Sequence, residues 1–226
     1  MKTKLIMMGL LATTLWLPAQ VITSSYTNST SAGIPDGSPV GLMEQFSVSG
    51  LGGSITNVQV SLDITGGFNG DLYAYLAGPQ GQFAMLLNRA GITVSNPYGY
   101  GDAGFNITLD GLTASNIHEY GSGYSVNGFG QVLGTWGADG RNIDPQSLGS
   151  VFDSASTAAN LGVFQDTTGN GLWTFFIADL SGGGTATLNN VILTIVTVPE
   201  PQTWAISLFG GVALLVRYSC SRRSQN

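Results

Sequence analysis

A nucleophilic hydrolase of the triad type needs a histidine beside a serine, with a carboxylate behind it. The chain has one histidine, His118, in Asn116-Ile117-His118-Glu119-Tyr120. No G-x-S-x-G elbow accompanies it. His118 therefore reads as a solvated loop residue, and a minimal hydrolase built on it stays as the weakest functional alternative. Glycoside hydrolysis needs two carboxylates, one of them held protonated, and no spacing in the chain marks such a pair. The single cysteine is Cys220, near the end, so the body has no thiol nucleophile, no disulfide and no thiolate zinc site. Tyr98, Tyr100, Tyr120 and Tyr124 stand in Gly-rich stretches. Amphipathic rings in loops can stack on sugars, which makes these four candidate ligand-binding residues of a carbohydrate-binding module. Local packing competes as an explanation.

Charge narrows the classes further. The body, residues 20–198, holds two basic residues, Arg89 and Arg141, against twelve acidic ones, a net charge of about −10. Nucleic-acid binding needs clustered Lys and Arg and is excluded as a partner class. An acidic body suits calcium, which takes oxygen ligands, and equally suits plain solubility through net charge.

The elements that must position these residues read as β throughout. Val58, Val60, Leu62 and Ile64 alternate with Asn57, Gln59, Ser61 and Asp63, the period of a half-buried strand. Over 71–76, Leu72, Ala74 and Leu76 take one face, and Tyr73 and Tyr75 the other. Further strands are expected at 40–48, 83–87, 105–109, 172–178 and 188–196. Trp173, Phe175 and Ile177 share one face and read as core. Residues 111–170 are rich in Gly, Asn, Ser and Asp and weak in periodicity, and 154–160 reads as one helical turn or a loop. Short strands between Gly-rich turns predict an all-β fold, a two-sheet sandwich or jelly roll.

Both ends carry export signals. Lys2 and Lys4 precede an apolar run over 5–17, followed by Pro18-Ala19-Gln20. That is the pattern of a secretory signal peptide, 1–19, cleaved after Ala19. Residues 20–32 follow as a polar N-terminal segment. At the other end stand Pro199-Glu200-Pro201, an apolar run over 204–216, then Arg217, Arg222 and Arg223. Thirteen helical residues span roughly 20 Å, short of the roughly 30 Å hydrocarbon core. Snorkelling of Arg217 and interfacial Trp204 and Tyr218 extend the reach. The arginines act as a basic stop-transfer segment and stay cytoplasmic, which leaves everything before Thr203 outside. The expectation is a transmembrane helix over 204–216 that anchors the chain transiently in the inner membrane.

On these residues the segment 198–226 resembles the PEP-CTERM sorting signal of bacterial exosortase systems. The resemblance implies that an exosortase is a processing partner, that cleavage falls near Pro199, Glu200 and Pro201, and that the body ends at the cell surface or in the extracellular matrix of a Gram-negative bacterium. Exopolysaccharide and other surface proteins are the partners expected there. The body, 33–197, resembles a second family, the P domain (P/Homo B domain) found beside subtilisin-type proteases and proprotein convertases. Three segments carry this: I-P-D-G-S-P at 34–39, V-S-L-D-I-T-G-G-F-N-G-D-L-Y-A-Y-L-A-G-P-Q-G at 60–81, and G-L-W-T-F-F-I-A-D-L-S-G-G-G-T-A-T-L-N-N-V-I-L-T-I at 171–195. It implies a jelly-roll-like β-sandwich over 33–197 and, because some members bind calcium, a candidate metal site of Asp63, Asp71, Asp102 and Asp110. The competing role for Asp71 is to satisfy backbone N–H groups of the preceding turn. The protease domain that usually accompanies the family has no residues left to form it. The sequence therefore reads as a non-catalytic exported β-sandwich, structural or adhesive. A carbohydrate-binding module of the matrix is the alternative, and a protease-accessory domain a further one.

Overall fold

The computed structural model describes residues 20–121 and 123–199. The leader 1–19, Glu200, Pro201, the helix expected over 204–216, and Arg217, Arg222 and Arg223 lie outside the described residues. Among the described residues no helix is long and apolar enough to cross a membrane.

Among the described residues ten strands follow one another: β1 Ile22–Asn28, β2 Ala32–Ile34, β3 Ser38–Val48, β4 Ser54–Gly66, β5 Leu72–Ala77, β6 Phe83–Asn88, β7 Gly104–Asp110, β8 Val132–Trp136, β9 Gly171–Asp179 and β10 Ala186–Val198. They form two sheets. One has the order β1-β10-β4-β7-β8, with β2 also on β10; the other has the order β3-β9-β5-β6. All pairs are antiparallel except β7 with β8.

The period-two patterns become the core. Val58, Val60, Leu62 and Ile64 of β4 are buried, as are Val191, Leu193 and Ile195 of β10 and Phe105, Ile107 and Leu109 of β7. The facing sheet supplies Leu72, Ala74 and Leu76 from β5 and Trp173, Phe175 and Ile177 from β9. Trp173 packs on Phe164 with ring centroids 4.8 Å apart, and its Nε1–H donates to the Gly169 carbonyl at 2.8 Å. The largest side chain of the core therefore brings its one polar atom already satisfied.

Three segments take a form that the sequence left open. Residues 22–28, within the polar N-terminal segment, form a strand in register with β10, Tyr26 opposite Leu193. Ser24 and Tyr26 alternate with the more exposed Thr23, Ser25 and Thr27, a weak pattern that pairing with β10 makes sufficient. Second, β8 was not legible. It is five residues long, contains Gly134 and lies parallel to β7, so neither alternation nor a hairpin turn announces it. Third, of the two readings of 154–160 the loop holds: 155–160 is irregular, and the helical turn lies earlier, at Gly149–Ser154 (α1). Gly104, the first residue of β7, shows why one glycine is fixed. Its φ is +95°, and a Cβ there would lie 2.0 Å from the Ile64 carbonyl oxygen.

Trp173→Ala is expected to cost about 3–5 kcal/mol of unfolding free energy, read from denaturant titration with a native-like far-UV spectrum retained. A loss under about 1 kcal/mol would show that the two sheets do not close on this ring.

Candidate functional site

One end of the sandwich gathers the turn before β5, the segment 98–103 before β7, and the loop 120–131 before β8. Asn69, in a buried 3-10 turn, organises it. Its side chain accepts from the Gly104 N–H at 2.9 Å, and donates to the Gly104 carbonyl at 3.1 Å and to the Tyr120 hydroxyl at 3.0 Å. The Tyr120 hydroxyl donates to Asp102 Oδ2, and the Tyr124 hydroxyl to Asp102 Oδ1, both at 2.9 Å. Tyr120 is fully buried, with Tyr100 at 4.4 Å, Tyr124 at 5.1 Å and Phe105 at 5.9 Å between ring centroids. Burial pushes the Tyr120 hydroxyl pKa up, and the Asp102 carboxylate adds to the rise. The Tyr124 hydroxyl pKa is also raised, chiefly by its hydrogen bond to Asp102. Both stay protonated donors at neutral pH.

The four candidate tyrosines thus divide. Tyr100, Tyr120 and Tyr124 converge, but Tyr100 and Tyr120 spend their ring faces on each other. Tyr98 stands apart, 83% exposed. The rings free to meet a partner at this end are Tyr98, Phe129 at 79% exposure, and in part Phe68 and Tyr124. Sequence reading missed Phe129 and Phe68. Their signal is an aromatic directly after glycine, Gly128-Phe129-Gly130 and Gly67-Phe68, where a turn has no core to hide it.

The four candidate metal aspartates do not form one site. Asp63 Oδ1 accepts from Gln131 Nε2 at 2.6 Å and Asn189 Nδ2 at 3.3 Å. Asp110 accepts from Asn57 and Gln59 side chains and the Leu112 N–H, each at 2.9 Å. Burial raises its pKa, but those three donors outweigh burial and hold it below the usual carboxylate range. Asp110 pairs with Gln59, four residues along β4 from Asp63, so the two carboxylates stand roughly 13 Å apart. Asp102 is taken by the tyrosines, and Asp71 lies 3.6 Å from Arg89 Nη2. Asp71 does not cap its turn with its carboxylate; its main-chain N–H donates to Phe68 O, and its carbonyl accepts from Leu180 N–H. Among the described residues no group of three or more His, Cys, Asp or Glu is placed to hold a metal ion.

His118 is not a solvated loop residue. It is 2% exposed, in a 3-10 turn at 117–119. Its Nδ1 lies 2.7 Å from Asp139 Oδ2, its Nε2 lies 3.0 Å from the Ile92 carbonyl, and its ring stacks on Phe152 at 5.6 Å. Asp139 also takes the Arg141 guanidinium at 3.3 Å and the Asn88 N–H at 3.2 Å. With both ring nitrogens engaged, none is left to accept a proton from a serine. The apolar-looking Ile117-His118 pair hides a tertiary network, which no local pattern reveals.

Burial also raises the pKa of two neighbouring carboxylates, Asp71 and Asp179, and the more deeply buried is Asp179, at the end of β9. It is 1% exposed and its Oδ2 has no hydrogen-bond partner. Burial, with Asp71 and Asp36 nearby, raises its pKa to about 6 against the weaker pull of the Ser181 N–H and Arg89. A carboxyl raised in the folded state contributes stability below its unfolded pKa and loses it as pH rises through the folded value. The melting temperature of the wild type relative to Asp179→Asn is therefore expected to fall between about pH 4 and pH 7. A pH-independent difference would show that Asp179 is not strained when ionised.

No family model matches the sequence, and no curated protein matches it. Among solved structures the chain is similar to a serine protease of Aeromonas sobria, at 12% identity and a TM-score of 0.44. It is also similar to a chain in the complex of the Aeromonas sobria serine protease with its chaperone ORF2, at 13% identity and a TM-score of 0.43. Each match covers 80% of this chain and 28% of the other, so this chain spans less than a third of the length of those it matches.

Proposed function

We propose that this chain is an exported, non-catalytic interaction domain, sorted by an exosortase to the cell surface or extracellular matrix, where it acts by adhesion or assembly. The observation that carries the reading is the loop end. Its polar groups are consumed internally by the Asn69–Tyr120–Asp102–Tyr124 chain, while the rings of Tyr98 and Phe129 project into solvent. Apolar rings held out on an ordered scaffold are how interfaces begin. His118 supports the non-catalytic half of the reading, because its ring is closed to solvent and fully engaged.

The same proposal takes the sandwich as jelly-roll-like and P-domain-like. The three segments that carry that likeness fall on joined elements: 34–39 leads from β2 into β3, 60–81 runs from β4 through β5 to the next turn, and 171–195 runs from β9 into β10. Export and sorting rest on the two ends of the sequence, with the proposed cut near Pro199, Glu200 and Pro201.

The double variant Tyr98→Ala, Phe129→Ala tests the interaction surface in cells. It is expected to be exported normally and to lose surface retention by about tenfold or more, since exposed aromatic anchors dominate such contacts. Retention equal to the wild type, measured as the ratio of cell-bound to released protein, would remove the loop end as the working surface.

A further inference from the structure

The outer face of the larger sheet is built unlike an ordinary solvated face. Three rows cross it in register. Thr27, Ile192, Ser61, Thr108 and Thr135 form one row. Asn190, Asp63, Asn106 and Leu133 form the next on one side, and Ser25, Thr194, Gln59 and Asp110 the next on the other. Neighbours within a row are about 4.8 Å apart, and rows about 6.7 Å apart. No Lys, Arg or Glu stands in any row. Exposed strands usually carry such long charged chains, which also block edge-to-edge pairing. Their absence leaves a groove of about 370 Å³ lined by Ser61, Asp63, Asn106, Thr108, Asn190 and Ile192.

The groove holds hydrogen-bonding capacity that the protein does not use up. Asp63 takes its bonds from Gln131 and Asn189 through Oδ1, which leaves Oδ2 as an acceptor. The Ser61 and Thr108 hydroxyls bond each other at 2.9 Å, and each keeps further capacity. Asn190 accepts from Ser29 through Oδ1 at 3.3 Å, which leaves its NH₂ to donate. Asn106 is exposed in the centre of the face. Ile192 supplies an aliphatic floor. Short hydroxyls, amides, one carboxylate and a small apolar patch match the alternating hydroxyl and C–H surface of a sugar ring. The volume lies in the range of ligand sites.

We propose that this groove binds a neutral polysaccharide chain. Charge selects neutral over anionic polymers: the single ionisable group in the groove is a carboxylate, and the body around it is at about −10. The proposal adds a partner to the non-catalytic reading at a surface separate from the loop-end rings, so either can fail without the other.

Affinity electrophoresis tests it, using the full chain in a polyoxyethylene detergent, which contains no sugar. The gels carry hydroxyethyl cellulose, dextran or alginate. At least one of the two neutral polymers is expected to retard the protein, and alginate is not. Asn106→Ala is expected to weaken retardation about fivefold to tenfold with an unchanged melting temperature. Thr108→Trp, which fills the groove, is expected to abolish it, while Tyr98→Ala with Phe129→Ala leaves it intact. No retardation by either neutral polymer would overturn the proposal. So would retardation that survives both groove variants, or that disappears in the loop-end variant instead.

Discussion

The pairing of β10 with β4 is the constraint on which the rest of the structure depends. Each strand is thirteen residues long, and their register runs from Ala186 opposite Gly66 to Val198 opposite Ser54. On its other edge β10 takes β1 and β2, while β4 takes β7 and, through it, β8. The ladder therefore places every other strand of the larger sheet. Because side chains alternate along a strand, a slip of one residue would expose Val58, Val60, Leu62 and Ile64 together and bury Gln59, Ser61 and Asp63. The body has no cysteine, so no covalent link would correct such a slip. The hydrophobic pattern sets the register, and side-chain bonds from Asn189 to Asp63 and Thr65 and from Thr56 to the Val196 carbonyl add to it.

Two buried polar networks then order the long segment that the sheets cannot hold directly. His118, Asp139 and Arg141 tie the 117–119 turn to the 137–141 segment, and Asn88 fastens both to the end of β6 through the Arg141 and Ile143 carbonyls. Asn69, Tyr120 and Asp102 do the same at the loop end. Such networks hold geometry because breaking one member leaves its partners buried and unpaired. This is why a region so rich in Gly, Ser and Asn is ordered, and why its one histidine and several of its carboxylates are structural.

The central strands of both sheets were legible from residue alternation, and the loops and the edge strands β1, β2 and β8 were not. Trp173, Phe175 and Ile177 announced their common face, and the outward Tyr73 and Tyr75 were equally clear. Phe176 stacks on Tyr75 at 5.0 Å on that outer face, as alternation in β9 requires. β8 was hidden because a short parallel edge strand is specified by its neighbour rather than by itself. The aspartates misled as a set. Asp63, Asp71, Asp102 and Asp110 are similar in sequence context, yet each is bound by donors that come from distant segments. The groove was half-visible, since the polar residues of β4 were recognised as one face. Its other wall, Asn106 and Asn190, joins only through strand register.

The central claim is that this sandwich is delivered outside the cell and released from a temporary anchor. Mass spectrometry of both termini of the native, surface-associated protein tests it most directly. The account requires an N-terminus at Gln20 and a C-terminus within a few residues of Pro199, with 204–226 missing. A mature protein that retains Arg222 and Arg223 on surface-exposed molecules would contradict it.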